Sequence, residues 1–233
     1  ENLTVVLEWP PGLLERRAYE DERVLSFESR IKVEKNGDLL VTERIRARFG
    51  GGSFESFHRD LSREEVLWSP GAEGSLVFSF SDEYDAGWGL KKKKPLEVLG
   101  VKRDGMEVKY GAHSRQVTIS GPDLEWGVHT YEITYRTGRQ LYLEEGRDAL
   151  YWNVNGTEWS FPTDKVSATV VLPEGIKGTK VWGYTGKRGA KGKDFRATLT
   201  GTGATIEATR AFRARENLTV VLEWPPGLLE RRA

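Results

Sequence analysis

Cysteine is absent from the 233 residues. That removes disulfide frameworks, thiolate metal sites and cysteine nucleophiles together. Histidine is scarce: it occurs only as His58, His113 and His129. These three show no metal-ligand spacing and no HExxH motif, so no metal centre is expected. Long apolar runs are missing too, and none approaches the roughly 18 residues of a spanning helix. The chain opens on ENLTVV, with neither a basic segment nor an apolar one, and no signal peptide is expected there. Net charge is also lacking, with 35 basic residues against 35 acidic ones. A balanced chain is not expected to hold nucleic acid. No GxSxG elbow, P-loop or strand-borne GxGxxG occurs, which leaves a serine triad and a nucleotide without support. No cofactor is expected.

What is there is aromatic and strand-like. Aromatics make up 11% and hydrophobic residues 38% of the chain, which excludes intrinsic disorder. The length suits a single large domain with a real core. Residues 1–18, ENLTVVLEWPPGLLERRA, recur unchanged as 216–233. The duplicate is read either as an artificially appended copy or as a strand that pairs with a neighbouring chain, giving strand-swapped self-association. Residues 19–233 are then one domain.

Between the copies, alternation of period two prevails. Ile31 and Val33 lead to Asn36-Gly37, and Leu39, Val41, Ile45, Ala47 and Phe49 follow on one face, a strong hairpin signature. A second hairpin turns at Asp104-Gly105. Tyr131, Ile133 and Tyr135 share a face, and segments 165–173, 180–184, 194–200, 204–210 and 217–224 continue the pattern. About 10–12 strands are expected, with LSREEVLW (61–68) as the one short helical candidate. The expected fold is all-β, an antiparallel β-sandwich with long loops of the kind that carry function.

Several stretches, in order, carry a resemblance: RVLSFESRIKVEKNGDLLVTERI (23–45), FHRDL (57–61), ITYRTGRQL (133–141), 148–173, YTGKRGAKGKDF (184–195) and LTVVLEWPPGLL (218–229). The run YWNVNG followed by Trp159, Phe161-Pro162 and ATVVLP is the most specific. Together these resemble the N-terminal domain of a bacterial family of predicted membrane proteins, domain of unknown function 2207, which includes YciQ-like proteins. The resemblance implies an extracytoplasmic domain preceded by a signal peptide and followed by transmembrane helices, so that this chain is the ectodomain alone. It carries over no reaction and no catalytic residue. The implied partners are the membrane-embedded remainder of the same protein and other envelope proteins.

Three functional readings remain open. The first is a non-catalytic extracytoplasmic domain that senses, scaffolds or binds protein partners. The second is a carbohydrate or cell-wall binding module: Tyr151, Trp152 and Trp159 form an aromatic platform with Asn153 and Asp148 as hydrogen-bonding neighbours, unless the two indoles belong to the core. The third is a hydrolase with two facing carboxylates, drawn from Asp60, Asp82, Glu83, Asp85, Glu144, Glu145, Asp148 and Glu158; no motif singles out a pair, and no catalytic residue is assigned. Two basic clusters, Lys91, Lys92, Lys93 and Lys94, and Lys187, Arg188, Lys191 and Lys193, suit an anionic lipid surface or edge-strand protection. Asp82 to Asp85 offers clustered oxygens without an EF-hand register. Asn2, Asn155 and Asn217 stand in N-x-Ser/Thr sequons, which are not expected to be glycosylated in a bacterial protein.

Overall fold

The computed structural model describes residues 22–49, 58–60, 75–79, 83–85, 91–93, 95–113, 116–120, 127–143, 146–157, 159 and 161–230. Residues 1–18, Trp88, Lys94, Glu144, Glu145, Glu158 and the segment 61–68 lie outside them. The strands are β1 (Arg23–Val33), β2 (Leu39–Phe49), β3 (His58–Asp60), β4 (Ser75–Ser79), β5 (Glu83–Asp85), β6 (Lys91–Lys93), β7 (Leu96–Arg103), β8 (Met106–Glu107) and β9 (Gly111–His113). They continue as β10 (Gln116–Ser120), β11 (Gly127–Thr137), β12 (Leu141–Leu143), β13 (Asp148–Asn153), β14 (Val166–Val171), β15 (Lys180–Gly186), β16 (Phe195–Thr200), β17 (Gly203–Ala208) and β18 (Asn217–Trp224). Twelve of the 18 have five residues or more; no helix occurs among the described residues. The all-β expectation holds.

The largest sheet has eight strands in the order β16-β17-β14-β1-β2-β11-β7-β8, and a second sheet has four, β12-β13-β18-β15. Pairing is antiparallel in both except for β1 with β14, which run parallel. Most of the core lies between these two sheets, and Val117 and Ile119 of β10, in a further sheet ordered β3-β4-β10-β9, join it. On β2, Leu39, Val41, Ile45 and Ala47 point inward while Arg44, Arg46 and Arg48 face solvent, the alternation of a sheet wetted on one side. Each large apolar side chain buried this way contributes about 1.5–3 kcal/mol. A register shift between Val24 and Ser26 lets both Val24 and Phe27 face inward despite their odd spacing. Glu43 breaks the apolar series: it is fully buried, and its Oε1 accepts the Tyr135 hydroxyl proton at 2.9 Å.

Both turns form where alternation is interrupted. Asp104 (φ 50°) and Gly105 (φ 85°) both take left-handed backbone, as a two-residue type I′ turn requires. At the first hairpin only Gly37 does so (φ 79°). There Gly37 N–H bonds Glu34 O at 2.9 Å and Glu34 N–H bonds Asp38 O at 2.8 Å, a three-residue loop with the glycine last.

The copy at 216–233 supplies β18, the strand between β13 and β15. All its residues except Glu223 are buried. Its entry is fixed by two amides. Asn155 Oδ1 accepts Leu218 N–H at 3.0 Å and its Nδ2 donates to Glu216 O at 2.9 Å; Asn217 Oδ1 accepts Gly156 N–H at 2.9 Å. These buried sequon asparagines are spent on structure.

Candidate functional site

The four-stranded sheet reads across in rows. Ala149 stands opposite Glu223, and Glu223 opposite Lys180; the next row is Tyr151, Val221, Trp182, and the next Asn153, Thr219, Tyr184. Tyr142 on β12 faces Ala149. Since neighbouring residues point to opposite sides, Leu150, Trp152, Val220 and Leu222 enter the core. Tyr142, Tyr151, Trp182 and Tyr184 stand on the outer side.

There they enclose a groove of about 270 Å³, floored by Ala149 and Val221. The Trp182 indole N–H donates to the Tyr184 hydroxyl at 3.4 Å, and the Lys180 ammonium lies 4.7 Å from the Trp182 ring centre, within cation–π range. One end carries an ion pair in which Arg147 Nη1 donates to Glu223 Oε1 at 2.7 Å. Beyond the other end, Asn153 Oδ1 accepts from Thr219 Oγ1 at 2.9 Å and from Asn217 Nδ2 at 3.1 Å. Aromatic walls, a small apolar floor and polar ends are the makings of a binding site.

Of the platform expected from the sequence, Tyr151 is on this face with Asn153, and the rest is elsewhere. Trp152 is 8% exposed and Trp159 2%, so both indoles are core rather than stacking surface. Trp159 donates its N–H to Asn155 O and meets Phe27 edge-to-face at 6.1 Å. Asp148 is buried as well, with Oδ2 accepting Gly227 N–H at 3.2 Å; it has no reach into a cleft. Trp182, Tyr184 and Tyr142 were not singled out in the sequence, although the alternation of KVWGY puts Trp182 and Tyr184 on one face.

The basic clusters have different settings. Lys91, Lys92 and Lys93 form β6, paired antiparallel with β5 so that Glu83 stands opposite Lys93 and Asp85 opposite Lys91. The acidic segment and the lysine run thus occupy facing register positions. Lys187, Arg188, Lys191 and Lys193 are all exposed, the first three on a loop closed by mutual Thr185–Gly192 backbone bonds of 3.0 Å and Lys193 just after it. Gly186 pairs with Asn217, so this loop lies at the opposite end of β18 from Trp224.

No helix among the described residues is long and apolar enough to cross a membrane. Yeast LTA4 hydrolase in complex with bestatin is similar over 92% of this chain, at 11% identity and a TM-score of 0.50. The M1 zinc metallopeptidase from Deinococcus radiodurans matches over 87% at 12% identity and a TM-score of 0.43, covering 43% of that chain. This chain spans 33% of the length of the yeast protein, and the likeness is one of fold. No curated protein matches the sequence. The family described as "Predicted membrane protein (DUF2207) N-terminal domain" matches residues 23–224, which hold every strand described above, and the chain belongs to it.

Proposed function

We propose that this is the non-catalytic, extracytoplasmic receiving domain of its membrane protein. It takes a ligand or partner on the outer face of the four-stranded sheet and relays occupancy to the membrane-embedded remainder. The carrying observation is the continuity of β18. Val221 and Glu223 belong to the groove, and the chain after Trp224 is clasped at two points. Gly227 N–H bonds Asp148 and Glu230 N–H bonds Lys35 O at 2.8 Å, on the β1–β2 turn. Leu229 is buried beside them. β18 is thus continuous from the groove's floor to the segment that leaves the sheet, and that continuity supports the relay. The extracytoplasmic side rests on the family resemblance.

These 233 residues contain no cysteine, so a direct test is made in the intact membrane protein with any cysteine outside them replaced by serine. A single cysteine at Tyr142, 44% exposed at the groove's rim, is treated with a membrane-impermeant maleimide on whole cells. Labelling of whole cells is the expected result. Labelling only after lysis places the domain on the cytoplasmic side and overturns the proposal.

A further inference from the structure

We propose that the groove takes an uncharged pyranose saccharide, one or two rings long, stacked between Tyr151 and Trp182. This rests on the outer face being a receiving surface, and adds the chemistry of what it receives.

The outward positions of a half-wetted sheet are ordinarily polar. Here they carry four aromatic side chains, each with a polar tip, above a floor of Ala149 and Val221. A wall that is apolar on its face and hydrogen-bonding at its edge suits a ligand of the same kind. A sugar ring has an apolar C–H face and a rim of hydroxyls.

The spacing agrees. Tyr151 and Trp182 each sit one strand from Val221, so their backbones are about 9–10 Å apart. A ring inserted between them needs van der Waals separations of about 3.5–4.0 Å on either side, which that gap accommodates. Size limits the occupant. A volume of about 270 Å³ falls just short of the range of about 300–1,000 Å³ usual for small-molecule sites. A stable protein partner needs about 800 Å² on each side, far more than this groove offers.

The polar end selects for hydroxyls without charge. Arg147 and Glu223 are paired at 2.7 Å and largely cancel each other's field, while the Lys180 ammonium, over the Trp182 ring at 4.7 Å, does not line the groove. Side by side they present N–H donors and a carboxylate acceptor, the complement of a vicinal diol in which each hydroxyl both donates and accepts. An anionic ligand would have to compete with Glu223, and a cationic one with Arg147.

The test is saturation-transfer difference NMR on the full 233-residue chain, irradiating protein aromatic protons. Cellobiose, maltose and N,N′-diacetylchitobiose are offered in turn, with a proline-rich decapeptide in parallel. Transfer to ring C–H protons of at least one sugar is expected, with affinity falling at least about tenfold in Trp182→Ala and Tyr151→Ala and largely kept in Trp182→Phe. Thermal melts establish that the variants remain folded, and Tyr142→Ala, at the exposed rim, serves where one does not. No transfer to any sugar, or transfer unchanged in the alanine variants, overturns the saccharide. Transfer only to the decapeptide, lost in the same variants, also overturns it while leaving the receiving surface standing. The side of the membrane on which that surface lies is read separately, by the cysteine labelling.

Discussion

Arg210 grips Glu216 with both terminal nitrogens, Nη1 to Oε2 at 2.7 Å and Nη2 to Oε1 at 3.2 Å. Its remaining Nε donates to Asp194 Oδ2 at 2.9 Å. The three residues lie just after β17, just before β18 and just before β16, so one guanidinium ties the rim of the large sheet to the central strand of the small one. Such a fork cannot be copied by lysine. Arg210→Ala is expected to cost about 1–2 kcal/mol after allowance for solvent screening, and Arg210→Lys to recover only part of it. Urea unfolding of the three proteins checks the order.

The same clamp makes stability depend on acid. The Arg210 hydrogen bonds lead the causes that hold the Glu216 carboxyl below its ordinary value of 4.5, against the opposing effect of burial. A carboxyl depressed in the folded state contributes stability that is fully present above its unfolded pKa and is lost as pH falls through the folded one. Wild type should therefore exceed Glu216→Gln in urea midpoint at pH 7, and the difference should shrink below pH 4.5. A constant difference down to pH 2 would contradict the clamp.

Two tryptophans should answer very differently to the same change. Trp159→Ala removes a buried indole packed on Phe27, and a loss of about 3–5 kcal/mol is expected. Trp182→Ala trims the outer face and should cost about 1 kcal/mol or less. At about 2–4 °C per kcal/mol for a domain of this size, thermal melts separate the two without ambiguity.

Gly183 on β15 has no room for a side chain. A Cβ there would stand 2.2 Å from Thr219 O on β18 and 2.7 Å from Ile206 Cδ1 on β17. Gly183→Ala must push β15 away from β18 or displace Ile206, at an expected cost of about 1–3 kcal/mol or more. Hydrogen exchange should show the loss first in the amides that join β15 to β18.

Residues 1–18 should be dispensable for the fold, because the identical segment at 216–233 already fills the place between β13 and β15. Deleting them is expected to leave the melting temperature within a few degrees and independent of protein concentration. A concentration-dependent transition in the full chain, abolished by the deletion, would instead show that the first copy pairs between molecules.

Local structure was largely legible in the sequence, and long-range structure was not. The Asp104-Gly105 turn follows from two residues that tolerate left-handed backbone, and the alternation along β2 and β11 follows from a sheet wet on one side. At Asn36-Gly37 the dipeptide marks the hairpin, but the loop is one residue longer than a type I′ turn. Asn36 Oδ1 accepts Asp38 N–H at 3.0 Å, and that side-chain bond holds the longer loop. The aromatic platform expected from the sequence and the groove on the outer face differ by a single residue of parity at Tyr151 and Trp152. Tyr151 and Trp152 are both aromatic, so composition cannot say which faces the core; pairing with Val221 and Val220 across β18 decides it, and β18 lies about 70 residues further along the chain. The conspicuous YWNVNG run proves to be the seam that seats β18. The parallel pairing of β1 with β14 carries no local signal.

The placement of β18 also governs when the domain can mature. The small sheet is completed by its last strand in sequence, inserted between two that precede it. During vectorial emergence from a ribosome, β13 and β15 lack the segment that lies between them until residue 224 is out, and only the identical sequence at residues 1–18 is available to them before that. The seating of residues 217–224 in their own place is therefore deferred to the end of the process, as expected where long-range pairing must wait for its partner. A chain stalled or truncated before residue 217 would leave that place open to the first copy, residues 1–18.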